Sequence, residues 1–127
     1  MAKTVLIVDD EEDVCELLRV LLEARGLVVE TAGDGHQAIE RIEQKCPDLI
    51  LLDLKMPRLG GYELFVRLRS DEKHKTIPII VITALTQESD HNDEEWARRM
   101  GAEGFLTKPL DMEDLGRRVE EFVSKLL

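Results

Sequence analysis

The sequence predicts an α/β domain: a doubly wound, five-stranded parallel sheet flanked by five helices. Three observations carry this expectation. Runs of four aliphatic residues, Val5–Val8, Leu49–Leu52 and Ile79–Ile82, lack the polar alternation of a half-solvated strand and read as strands covered on both faces. Between such runs lie segments with apolar residues at helical spacing. The two kinds of segment alternate five times along 127 residues, the pattern of a parallel sheet with helices on both sides.

Thr4 to Val8 form the first strand, which runs straight into Asp9-Asp10-Glu11-Glu12-Asp13. These acids open a helix, where carboxylates suit the positive end of the dipole. Val14, Leu17, Leu18, Leu21 and Leu22 then follow the spacing of an inward helical face, and Gly26 stops the helix. Leu27 to Thr31 make a short strand, and Ala32-Gly33-Asp34-Gly35 a turn. Residues 36–45 carry a weaker helix with Ala38, Ile39 and Ile42 inward, ended by Cys46-Pro47. The third strand closes on a lone carboxylate, Asp53, and the chain then reaches Pro57 and Gly60-Gly61. Leu64, Phe65 and Leu68 mark a third helix, followed by a polar connector over 70–76. Ile77-Pro78 opens the fourth strand, which ends at Thr83-Ala84. A polar stretch, Leu85 to Glu95, precedes a short helix marked by Trp96, Ala97 and Met100, and Gly101-Ala102 ends it. Gly104 to Thr107 form the fifth strand and lead into Lys108-Pro109. The last helix begins at Asp111, with Asp114 three residues on, close to a capping box. Its inward face is Met112, Leu115, Val119, Phe122, Val123 and Leu126.

Composition narrows the function classes. A net charge of −10 argues against nucleic acid, because nothing here would neutralise a run of phosphates, and equally against an anionic membrane surface. No apolar stretch approaches the ~20 residues that span a bilayer, and Met-Ala-Lys-Thr followed by a strand is no signal peptide. Cys15 and Cys46 form no Cys-x-x-Cys pair and have no His at metal spacing. Reduced, half-buried thiols in the cytoplasm are the expectation. Without repeat, linker or low-complexity segment, residues 1–127 read as one domain with no output domain attached.

In a parallel sheet all strands end on one edge, where ligands bind in open α/β folds. The first strand delivers Asp9 and Asp10 there, the third Asp53, the fourth Thr83 and the fifth Lys108. Unit charges ~4 Å apart interact at about 4 kcal/mol for an effective dielectric near 20, so three clustered carboxylates either protonate or bind a cation. An all-oxygen set without His or Cys favours a hard cation, and few protein ligands favour Mg²⁺. Singly, Lys108 reads as a surface lysine and Thr83 as a strand-end hydroxyl bonded to backbone. Jointly they suit a transferring phosphoryl group, whose charge spreads over three oxygens. Asp53 is the nucleophile of this set, since carboxylates form acyl phosphates. Mg²⁺ on Asp9 and Asp10, Lys108, and the Thr83 hydroxyl with the Ala84 amide would each take one oxygen.

With these residues in view, the chain resembles a response-regulator receiver domain of bacterial two-component signalling, of the single-domain chemotaxis-regulator kind. The likeness runs through Val8-Asp9-Asp10-Glu11, Leu51-Leu52-Asp53-Leu54-Lys55-Met56-Pro57, Gly60-Gly61, Thr83-Ala84 and Lys108-Pro109, over essentially the whole chain. It implies a flavodoxin-like receiver fold. Asp9 and Asp10 would be the acidic pair and Asp53 the phospho-acceptor, with the Lys55 backbone carbonyl completing a Mg²⁺ site. Thr83 would be the switch hydroxyl and Lys108 the phosphate-binding lysine, followed by a cis bond to Pro109. Phe105 would be the aromatic switch; as Phe it has no hydroxyl to satisfy when turned inward. The implied partner is a sensor histidine kinase or histidine phosphotransfer protein. The implied role is a signalling phospho-acceptor, not a turnover enzyme, that switches a surface formed by the fourth helix, fifth strand and fifth helix.

Two departures stand out. Thr83 to Gly101 is about three residues longer than the family pattern, so its helix is expected to start late, be short or be mobile. Lys55 and Leu85 occupy positions that tune dephosphorylation in the family, and a bulky Leu85 points to slower loss of phosphate. Competing classes fit less well. A haloacid-dehalogenase-type phosphatase needs an Asp two residues after its nucleophile, where Lys55 follows Asp53 and Glu11 follows Asp9. A flavodoxin-type FMN carrier needs a Ser/Thr/Gly-rich phosphate loop, where Asp9–Asp13 would repel phosphate. A degenerate receiver would lack part of the site, and all five residues are present.

Overall fold

A computed structural model describes residues 3–56, 59–84 and 90–126. The elements alternate throughout: β1 (Thr4–Val8), α1 (Glu12–Glu23), β2 (Val28–Ala32), α2 (Gly35–Gln44), β3 (Leu49–Asp53), α3 (Gly61–Ser70), β4 (Ile79–Ala84), α4 (Asp90–Arg99), β5 (Gly104–Lys108) and α5 (Met112–Leu126). The five strands form one parallel sheet in the order β2-β1-β3-β4-β5. The predicted doubly wound α/β class is therefore the observed one.

Strand alternation sorts the aliphatic runs between two cores. Leu6, Val8, Ile50, Leu52, Ile79 and Val81 face Ala38 and Ile42 of α2, Leu64, Phe65 and Leu68 of α3, and Ala97 of α4. Val5, Ile7, Leu49, Leu51, Ile80 and Ile82 face Leu18 and Leu22 of α1 and Leu115 and Val119 of α5. Both faces are dry, which is why the runs carry no polar residue until the strands end.

Local chemistry fixes where helices start and stop. Asp34 Oδ1 accepts the Gln37 N–H at 2.9 Å, and Gln37 Oε1 accepts the Gly33 N–H at 2.9 Å, a reciprocal cap at the start of α2. Asp111 caps α5 by accepting the N–H groups of Glu113 and Asp114 at 3.0 and 3.3 Å. At the end of α1 the Leu27 N–H bonds Leu22 O and the Gly26 N–H bonds Glu23 O, a Schellman closure with Gly26 at φ 83°. Leu27 is consumed by that closure, so β2 starts at Val28, one residue later than the sequence suggests. Gly61 opens α3 directly against β3: a Cβ there would lie 2.1 Å from the Asp53 carbonyl oxygen.

At the opposite end of the sheet Arg69 acts as a clasp. Its guanidinium donates to the carbonyls of Lys75 (3.2 Å), Ile77 (2.8 Å) and Gly101 (3.1 Å) and lies over the Phe65 ring. Its partner Glu103, at 3.4 Å, accepts the Ile79 N–H at 2.6 Å.

Three expectations are corrected. Leu17 is 50% exposed, because α1 buries a narrow stripe centred on Leu18 and Leu22, leaving Val14 and Leu21 half-buried. Cys46 is exposed rather than half-buried, since it lies beyond the end of α2. The fourth helix spans ten residues and begins at Asp90, well before Trp96. Glu94–Arg98 and Glu95–Arg99 ion pairs (3.3 and 2.6 Å) support its exposed face, while Asp93 and Ala97 turn inward together. Pro57, Leu85 and the side chains of Met112, Val123 and Leu126 lie outside the described residues. No helix among the described residues is long and apolar enough to cross a membrane.

Candidate functional site

The carboxyl ends of four strands converge as the pattern predicts. Asp53 is the last residue of β3, Asp9 follows β1 directly, Thr83 is next to last in β4, and Lys108 ends β5. The β4–β5 register sets Thr83 beside Thr107 and Ala84 beside Lys108, so hydroxyl and ammonium reach the same edge.

Asp9 and Asp53 are each 3% exposed, and Asp10 is exposed at the rim. One oxygen from each of the three lies within 4.8 Å of the others. Lys108 Nζ reaches into this set, 2.9 Å from Asp9 Oδ2 and 3.2 Å from Asp53 Oδ2. It is no surface lysine. The remaining oxygens are held by main chain: Asp9 Oδ1 accepts the Glu11 N–H at 2.9 Å, and Asp53 Oδ1 accepts the Lys55 N–H at 3.0 Å. Both carboxylates are thus oriented by the amide two residues on, which neighbouring sequence alone dictates.

Charge is unevenly matched here. Burial pushes the Asp53 carboxyl up to about 6, the Asp9 charge adds to the rise, and the Lys55 amide and Lys108 oppose it. For Lys108, burial pulls the other way, yet hydrogen bonding to Asp9 and the charges of Asp53 and Asp9 hold its ammonium well above the usual range. Three carboxylates against one ammonium leave two negative charges, which a divalent cation would balance. The donors are all oxygen, so the residues present fit a hard cation such as Mg²⁺.

The Thr83 hydroxyl is wholly buried, and its Oγ1 has no hydrogen-bond partner among the described residues. It is therefore not tied to backbone, the ordinary fate of a strand-end hydroxyl. Ala84 is exposed at the strand end. Phe105 is half-buried and packs against the core that α2, α3 and α4 cover. The Lys108–Pro109 peptide is cis.

The fold and this edge match a known family. A family model described as the response regulator receiver domain fits residues 5–120. The chain belongs to that family. This receiver is 36% identical over 125 residues to the alkaline phosphatase synthesis transcriptional regulatory protein PhoP of Bacillus subtilis, covering 98% of the chain and 50% of PhoP. It is 37% identical over 111 residues to protein PilH of Pseudomonas aeruginosa, covering 87% of the chain and 89% of PilH. The receiver domain of a signal transduction histidine kinase from Syntrophus aciditrophicus superposes with a TM-score of 0.86 at 33% identity, covering 98% of this chain and 92% of that one. The receiver therefore spans most of one curated relative and about half of another. The family is that of two-component response regulators.

Sequence reasoning missed three groups. Glu11 is a third anionic neighbour of Lys108, at 3.3 Å. Asp93 is only 5% exposed, and Tyr62 donates a hydrogen bond to its Oδ1. Asp93 sits in a stretch that reads as solvated; its position four residues before Ala97, on the same helical face, was the available signal.

Proposed function

We propose that this receiver accepts a phosphoryl group onto Asp53 from the phospho-histidine of a sensor histidine kinase or histidine phosphotransfer protein. An oxygen of Asp53 attacks phosphorus and forms a P–O bond. The P–N bond to the imidazole breaks, and its electron pair returns to the ring nitrogen. At neutral pH the Asp53 carboxyl, raised to about 6, is still mostly ionised and able to attack.

Lys108 is already aimed at Asp53 and would follow the developing charge on one phosphoryl oxygen. The Thr83 hydroxyl and Ala84 amide would take another, and the unpartnered Thr83 Oγ1 supports this role. Asp9, Asp10 and Asp53, with the Lys55 carbonyl, would hold Mg²⁺, which when bound neutralises phosphoryl charge. Movement of Thr83 toward the phosphoryl group would give Phe105 room to turn inward, biasing the α4-β5-α5 surface toward a protein partner in the cytoplasm.

The observation that carries this reading is one buried aspartate shared between a strand-end ammonium and two further carboxylates. Incubation with acetyl phosphate and Mg²⁺ should add one acid-stable, alkali-labile phosphoryl group by intact mass. Asp53→Asn should take up none while keeping the fold by circular dichroism. Equal uptake by that variant would refute the assignment.

A further inference from the structure

One buried carboxylate near this end of the sheet, Asp93, belongs to α4 and not to the cleft. Asp93 Oδ1 accepts from the Tyr62 hydroxyl at the start of α3, and Asp93 Oδ2 lies 3.6 Å from Lys55 Nζ. The same ammonium reaches the Ala84 carbonyl at 3.5 Å. Through its backbone N–H, Lys55 also holds Asp53 at 3.0 Å. One residue thus grips the candidate phospho-acceptor with its main chain and α4 with its side chain.

Trp96, one turn along α4 from Asp93, meets Tyr62 edge-on at 5.0 Å and Phe65 at 5.3 Å. Asp93 is deeply buried, with a side chain 7% exposed, whereas Lys55 is 32% exposed. The ammonium can therefore leave through water, but the carboxylate it leaves behind stays buried with a hydroxyl for company. A buried charge that loses its counter-charge is strongly destabilised where it stands.

We propose that Asp93 is a positioning residue that latches α4 to the β3–α3 loop by retaining the Lys55 ammonium, and that charge added at Asp53 draws this ammonium away and loosens α4. The inference rests on the phospho-acceptor reading above. A phosphoryl group carries about −1.5 to −2 charges, more than the single charge of Asp93, and it would form on Asp53, whose carboxylate the Lys55 backbone N–H holds. Lysine's four-carbon stem makes such a swing a matter of side-chain rotation alone.

The test uses the full chain with Asp93→Asn and Lys55→Gln, with and without Mg²⁺ and beryllofluoride. Amide hydrogen exchange of α4 and Trp96 emission report the latch, and beryllofluoride titration reports competition. In the ligand-free protein both variants should show α4 exchange raised about tenfold, to the level wild type reaches only with ligand. Asp93→Asn should bind beryllofluoride about fivefold more tightly, because the ammonium has lost the buried carboxylate of Asp93, one of the groups that compete for it. Lys55→Gln should bind it more weakly than wild type, because the ammonium itself is gone. Wild-type exchange in both variants would overturn the latch, as would tightening by Lys55→Gln, which would show that the Lys55 ammonium is not drawn to the added charge. If Asp93→Asn does not fold, Lys55→Gln decides alone, and unchanged α4 exchange in it overturns the proposal. Failure of wild type to bind beryllofluoride would instead overturn the phospho-acceptor reading, and the latch with it.

Discussion

Replacing Asp53 by Asn should stabilise the metal-free protein, and by an amount that depends on pH. Burial and the Asp9 charge raise the Asp53 carboxyl from 3.8 to about 6. Its folded-state value is raised, so folding favours the protonated form. That contribution is fully present below the unfolded value near 3.8 and is lost as pH rises through about 6. The displacement is roughly two pH units, about 3 kcal/mol at ~1.4 kcal/mol per unit. Water reaching the cleft past Asp10 reduces this to about 1–2 kcal/mol. Asn keeps the size of the side chain and an oxygen for the Lys55 amide, so packing is nearly unchanged. Urea denaturation in EDTA should therefore give equal stabilities near pH 4 and a variant about 1–2 kcal/mol more stable near pH 7.5. With saturating Mg²⁺ the order should narrow or reverse, since only wild type retains the full carboxylate set. Equal stabilities at both pH values, or a variant less stable near pH 7.5, would refute the view that the folded chain holds Asp53 under electrostatic stress.

Two further outcomes follow from backbone and thiol chemistry. Gly61→Ala would place a methyl 2.1 Å from the Asp53 carbonyl oxygen and 2.5 Å from Leu54 Cα, backbone atoms that cannot rotate aside. Overpacking of this kind costs about 1–3 kcal/mol, more than the ~1 kcal/mol that alanine returns in helix propensity, and thermal denaturation should show the net loss. Gly26→Ala meets nothing within 4 Å and should cost about 1 kcal/mol through its φ of 83° alone; an equal loss at both sites would contradict the contact geometry. Burial, reinforced by the Asp9 charge, pushes the Cys15 thiol up to about 11, and Cys46 is exposed, so iodoacetamide near pH 8 should label Cys46 at least about tenfold faster by peptide mass mapping.

The sheet and the set of residues at its edge were legible because they depend on short-range rules. An unbroken aliphatic run bounded by turn residues reads as a strand dry on both faces, and three such strands deliver Asp9, Asp53 and Thr83 to one edge, where the half-buried β5 adds Lys108. Side-chain partnership was less legible. Spacing admits Leu17 to the inward face of α1, but the width of the buried stripe is set by what packs opposite, and Leu17 falls outside it. Asp93 was harder still. An aspartate among Asn, Asp and Glu residues reads as solvated, and only partners 31 residues away on α3 and on the β3–α3 loop make its burial tolerable. Glu11 was visible as part of the acidic run, but its contact with Lys108 spans 97 residues of sequence and depends on strand register.

The Arg69 clasp gives α4 an asymmetry. Its carboxyl end is fastened: the Gly101 carbonyl, just past the helix, is bound by a guanidinium that also holds the lead-in to β4 and the Glu103 side chain. Its amino-terminal half is secured through Asp93, beside the cleft. A rod fixed at one end and gripped at the other does not slide when the grip slackens; it swings. Small displacements near Asp93 would thus be converted into an angular change along the exposed flank of α4, with the pivot at the far edge of the sheet.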